Sequence, residues 1–105
     1  MSEKRGVILL FFDLPCETKK QRRAYGAFRK FIRSNGYVFI QKSVYCKPVC
    51  SAGALKSELK KISAASPEEG NVVALPLGYS TFMRIKTISG EGYDIERLFA
   101  ETLYF

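Results

Sequence analysis

The chain contains no histidine, and that absence removes Ser-His and Cys-His nucleophile pairs, His-ligated zinc and imidazole acid–base catalysis from the chemistry open to it. Any catalysis must use a carboxylate, hydroxyl, thiol, amine or bound metal ion. A glycine-rich phosphate loop is missing too: Gly90-Glu91-Gly92 lacks the third glycine, the lysine and the strand-to-helix setting. No segment reaches the roughly 18 apolar residues of a membrane span, and residues 1–5 lack the layout of a signal peptide. Cysteine is scarce. Cys16, Cys46 and Cys50 form an odd set without a secretion signal, which points to free thiols in a reducing compartment, and a cytoplasmic location is expected. Cys46 and Cys50 have the spacing of half a metal site, but no second pair completes it.

What is present suits one domain over residues 1–105, since a chain of 105 residues with 47% hydrophobic content leaves little room for a second core. So small a core makes added burial in a homodimer a reasonable expectation. The net charge of +7 is unevenly placed: residues 1–63 hold 14 basic and 4 acidic side chains, whereas residues 64–105 hold 3 and 6. Concentrated positive charge gives a salt-sensitive, sequence-independent affinity for nucleic acid phosphates.

The acid that stands out is Asp13. It ends the apolar run Val7-Ile8-Leu9-Leu10-Phe11-Phe12 and precedes Leu14-Pro15, while residues 18–33 carry seven Lys or Arg and no acid. A turn-forming Asp at a strand end explains its position; its basic neighbourhood also suits phosphodiester chemistry. The run over residues 6–12 reads as a strand buried on both faces. Thr18 with Gln21 fits a capping box, and Asn35-Gly36 supplies a helix stop. At about 100° per residue, Ala24, Tyr25, Phe28, Phe31 and Ile32 share one face of that helix, and Lys19, Arg22, Arg23, Arg29, Lys30 and Arg33 share the opposite one. Like charges three and four apart repel by a few tenths of a kcal/mol per pair, so an acid-free face of this kind is better explained by a polyanion than by solubility.

Downstream, residues 37–45 read as a second strand closed by Pro48. A second helix is predicted over residues 52–65, with Ser51 as N-cap, Leu55, Leu59 and Ile62 inward and Lys56, Lys60 and Lys61 outward. Residues 71–75 read as a strand ending near Pro76, residues 82–88 as one with an exposed face, and residues 98–105 as a further strand-like stretch. We assign the β-α-β-β-α-β order of an α+β ferredoxin-like sandwich with an additional C-terminal strand.

Three ordered blocks carry a resemblance: residues 7–15 with their Phe11-Phe12-Asp13-Leu14-Pro15 ending; Thr18 followed by Gln21-Arg22-Arg23, Tyr25 and Phe28-Arg29-Lys30-Phe31-Ile32; and Gly36-Tyr37 with Gln41 and Ser43-Val44-Tyr45. Together they resemble the small second protein of CRISPR systems, the Cas-two family, over nearly the whole chain. The resemblance implies a ferredoxin-like homodimer in which the C-terminal strand, about residues 97–105, crosses to the partner. It implies that Asp13 is the metal-binding and catalytic aspartate, two copies facing each other across the dimer to share one Mg²⁺ ion. It also implies a scaffold in CRISPR adaptation, bridging dimers of the Cas-one integrase and holding duplex prespacer DNA. Lys19, Lys20, Arg22, Arg23, Arg29, Lys30 and Arg33 are the expected phosphate contacts, by helix position. Two alternatives stay open: a metal-dependent endonuclease on single-stranded RNA or duplex DNA, and a ferredoxin-like RNA-binding module. Against the latter, the aromatics around Tyr25 and Phe28 lie on a helix rather than on the strand where bases stack.

Overall fold

The computed structural model describes residues 6–92, in which hydrophobic alternation sorts each strand's side chains onto two faces of a sheet. β1 (Gly6–Asp13) pairs antiparallel with β3 (Val44–Val49) on one side and β4 (Asn71–Gly78) on the other, and β2 (Val38–Gln41) pairs with β3, giving the order β2-β3-β1-β4. With α1 (Lys19–Ser34) and α2 (Ala52–Ala65) packed on one face, this is the expected ferredoxin-like arrangement. The additional C-terminal strand falls outside the described residues.

The inner face is built from Ile8, Leu10 and Phe12 of β1 against Phe28 and Ile32 of α1 and Ile62 of α2. Phe12 is its hub. Its ring sits edge-on to Phe28 at 5.3 Å and stacks on Tyr45 at 5.8 Å, arrangements that add to area burial. On the other face Val7 and Cys46 are covered by Phe82 of the one-turn helix α3 (Tyr79–Phe82). Beyond it no described residue covers the sheet: Phe11 is 36%, Leu75 45% and Val73 56% exposed.

The predicted caps form. Thr18 Oγ1 accepts from the Gln21 N–H at 3.0 Å while Gln21 Oε1 accepts from the Thr18 N–H at 3.0 Å. At the other end Gly36 takes a φ of 88°; its N–H donates to the Arg33 carbonyl and the Tyr37 N–H to the Ile32 carbonyl, a complete Schellman motif. Ser51 caps α2 by accepting from the Ala54 N–H at 3.0 Å. The inward face of α2 is rotated from the predicted one: Glu58 and Ile62 are buried and Leu59 only half-buried. Glu58 accepts from Tyr37 Oη at 3.1 Å and from Lys47 Nζ at 2.8 Å, and those two bonds are what make its burial tolerable.

Three strand assignments need correction. Residues 37–45 are two strands, because Lys42 and Ser43 turn the chain with Ser43 at a φ of 66°. That hairpin supplies the adjacent pair of strands that the β-α-β-β-α-β order requires and that a single strand over residues 37–45 does not provide. Pro48 and Pro76 lie within β3 and β4, opposite Val7 and Ile8. Pro48 falls where β2 no longer flanks β3, and β4 is an edge strand among the described residues, so neither ladder loses a bond to the missing N–H. Residues 82–88 are not a strand: the N–H groups of Met83, Arg84 and Ile85 donate back to Tyr79, Thr81 and Phe82, which closes a helical turn and leaves Ile88 91% exposed.

Candidate functional site

Asp13 closes β1 one residue beyond the Phe12 hub, so alternation turns its side chain to the open face together with Leu9 and Phe11. The carboxylate is exposed, and among the described residues no hydrogen bond or ion pair engages it. Its backbone is fixed on both sides. The Phe12 N–H donates to the Ser43 carbonyl at 3.1 Å. Gly70, at a φ of 98°, lies so close that an added Cβ would stand 2.7 Å from the Asp13 carbonyl oxygen, an approach only glycine permits. Directly opposite Asp13 stands Asn71, and opposed residues of an antiparallel pair share a face with Cβ atoms about 5 Å apart. Sequence reasoning missed Asn71 because its proximity depends on the β1–β4 register, 58 positions away.

A metal fits this place only in part. Mg²⁺ takes hard oxygen ligands and keeps several waters. The free, solvent-facing Asp13 carboxylate and the amide oxygen available from Asn71 meet that demand, but among the described residues no group of three or more Asp, Glu, Cys or His side chains stands together. Among the described residues the site thus has one anionic ligand, Asp13, which suits an ion shared with a second copy. Cys46 is no alternative nucleophile, since burial pushes its thiol up to about 12.

The cations lie on the outer side of α1, away from the open sheet. Lys19, Lys20, Arg22, Arg23, Arg29, Lys30 and Arg33 are all exposed, and the ion pairs among the described residues, Lys47–Glu58 and Lys61–Glu58, involve none of them. Two of the seven stand apart. Arg22 donates through Nη1 to the carbonyls of Cys16 at 3.3 Å and Glu17 at 2.8 Å, so it also holds the loop between Asp13 and α1. Lys20 lies on the flank of the helix, lining a groove of about 690 Å³ with Leu14, Tyr25, Pro67 and Glu68. Arg29, Lys30 and Arg33 line a shallow depression of about 440 Å³ with Gly26 and Ser34. The structure thus does not bring Asp13 and the cations onto one surface: they occupy the open sheet and the helical layer.

The family model for CRISPR associated protein Cas2 matches residues 7–85, a stretch that holds Asp13 and all seven cations. Among curated proteins, the "CRISPR-associated endoribonuclease Cas2" of Acidovorax ebreus is 37% identical over 79% of this chain and 81% of its own. The protein of the same name from Treponema denticola is 36% identical over 80% and 83%, and that from Streptococcus mutans serotype c, strain NN2025, is 33% identical over 80% and 78%.

Proposed function

The chain belongs to the Cas2 family of CRISPR-associated proteins, and from that premise we propose that it acts in CRISPR adaptation as a homodimeric scaffold, bridging Cas-one integrase dimers and gripping duplex prespacer DNA through α1. The observation that carries this reading is the outer face of α1, where every charged residue is a cation and no acid among the described residues forms an ion pair with it. Seven cations on a 16-residue helix repel one another without a partner, and a run of phosphates converts that repulsion into affinity by releasing counterions. The exposed Phe11, Val73 and Leu75 support assembly through the open sheet, since an apolar patch of neighbouring strands gains most by burial against another sheet.

The dissecting experiment is Arg29→Gln combined with Arg33→Gln, chosen because neither side chain holds the chain's own backbone as Arg22 does. The slope of log affinity against log salt for a random-sequence duplex falls by about 1–2. An unchanged slope removes α1 from the contact surface.

A second reading is favoured by the free Asp13 carboxylate and by the endoribonuclease named in the relatives: metal-dependent cleavage of single-stranded RNA. A shared Mg²⁺, when bound, would neutralise phosphodiester charge and lower the pKa of a bound water. Within the chain, Asp13 would hold that ion with the Asn71 amide oxygen available beside it across β1 and β4, on a strand end positioned by the Phe12–Ser43 hydrogen bond and the close approach of Gly70.

A further inference from the structure

Gly26 stands in the middle of α1, where glycine costs about 1 kcal/mol relative to alanine, and nothing among the described residues accounts for it. Its φ is not among the positive ones, the helix runs unbroken through it, and a Cβ built on it would meet nothing within 4 Å. Among the described residues, no packing, cap or kink requires glycine here. Its surroundings on the helix surface are specific. The positions that border it at three and four residues' distance are Arg22, Arg23, Arg29 and Lys30. At about 100° per residue the cationic arc runs from Arg29 round to Arg23, and Gly26 falls at its centre. The absent side chain leaves bare backbone ringed by positive charge, part of the depression shared with Arg29, Lys30 and Arg33.

We propose that Gly26 is the close-approach point for a nucleic-acid strand, where the sugar–phosphate backbone lies directly against the backbone of α1 while the four bordering cations reach past it to successive phosphates. The ligand is an extended polyanion rather than a single phosphate. Arg22 and Arg33 are about 16 Å apart along the axis at about 1.5 Å per residue, so one small anion engages only part of the set. The backbone N–H groups at Gly26 are committed to the helix, so its contribution is clearance: each methylene placed there holds the strand away from all four cations at once. This inference rests on the reading of α1 as the nucleic-acid surface, and its test separates the two.

Gly26→Ala and Gly26→Leu both introduce better helix formers, so neither loss of binding can be attributed to unfolding. Gly26→Ala raises the melting temperature by about 4 °C yet weakens binding of a random-sequence DNA duplex severalfold, and Gly26→Leu weakens it by about tenfold or more. Arg29→Gln with Arg33→Gln is measured beside them. If both Gly26 variants bind like wild type while the arginine variant loses salt slope, the close approach is overturned and the surface reading stands. If none of the three changes binding, both fall. Stabilisation without loss of affinity in Gly26→Ala, together with full affinity in Gly26→Leu, is the single result most damaging to the proposal.

Discussion

A carboxylate at a strand end has many uses, and what distinguishes Asp13 is how firmly its main chain is held and how little its side chain does. The Ser43 carbonyl holds the preceding Phe12 N–H and Gly70 packs closely against the Asp13 carbonyl, yet the carboxylate itself has no partner among the described residues and faces solvent. Asp13→Asn keeps size and shape while removing the charge. The expected outcome is magnesium-dependent RNA cleavage at background level, with melting temperature and duplex affinity unchanged. Cleavage that survives the substitution moves the catalysis elsewhere, and loss of duplex binding makes the carboxylate part of the scaffold. Asp13 was legible in the sequence because a lone acid ending an apolar run is a local pattern. Asn71 and Gly70 were not, since their nearness to Asp13 exists only once β4 has docked in register.

At the scale of the element, α1 was read nearly whole: Thr18, Gln21, Asn35 and Gly36 are short-range signals whose hydrogen bonds form within a turn of the residue that carries them. The rotated face of α2 was not legible, because Glu58 turns inward only to meet Tyr37 and Lys47, which arrive from other elements. Burial and the adjacent Glu58 charge raise the Tyr37 hydroxyl pKa far above its ordinary value, so Tyr37 stays a neutral donor at physiological pH. Glu58→Ala leaves Tyr37 Oη and Lys47 Nζ without their shared acceptor and is expected to lower stability by about 2 kcal/mol, read as a shift of the urea midpoint at constant m-value. A shift below a few tenths of a kcal/mol would mean that water replaces the carboxylate without loss. The strand expected over residues 82–88 failed for a related reason: its alternation is real, but its backbone groups are used by the α3 turn.

At the scale of the molecule, burial is lopsided. The helical layer covers Ile8, Leu10 and Phe12, while Phe11, Val73 and Leu75 on the reverse of the same strands remain exposed. Phe11 pairs directly with Val73 across β1 and β4, so a charge at position 11 enters the centre of that surface. If copies associate through this surface as proposed, Phe11→Lys is expected to sediment as a folded monomer at concentrations where the parent chain associates. A dimer that persists places the subunit contact elsewhere.

The separation of these two surfaces lets two properties respond to different variables. In the proposed homodimer, joining copies through the sheet would keep the like-charged helices on opposite sides of the pair, so association would carry little ionic penalty and would follow temperature as apolar burial does. Polyanion binding at the helical layer, as proposed, would follow ionic strength. On the proposed reading, raising salt is expected to release the polyanion while leaving the sheet-to-sheet pairing intact, so that lowering salt restores binding.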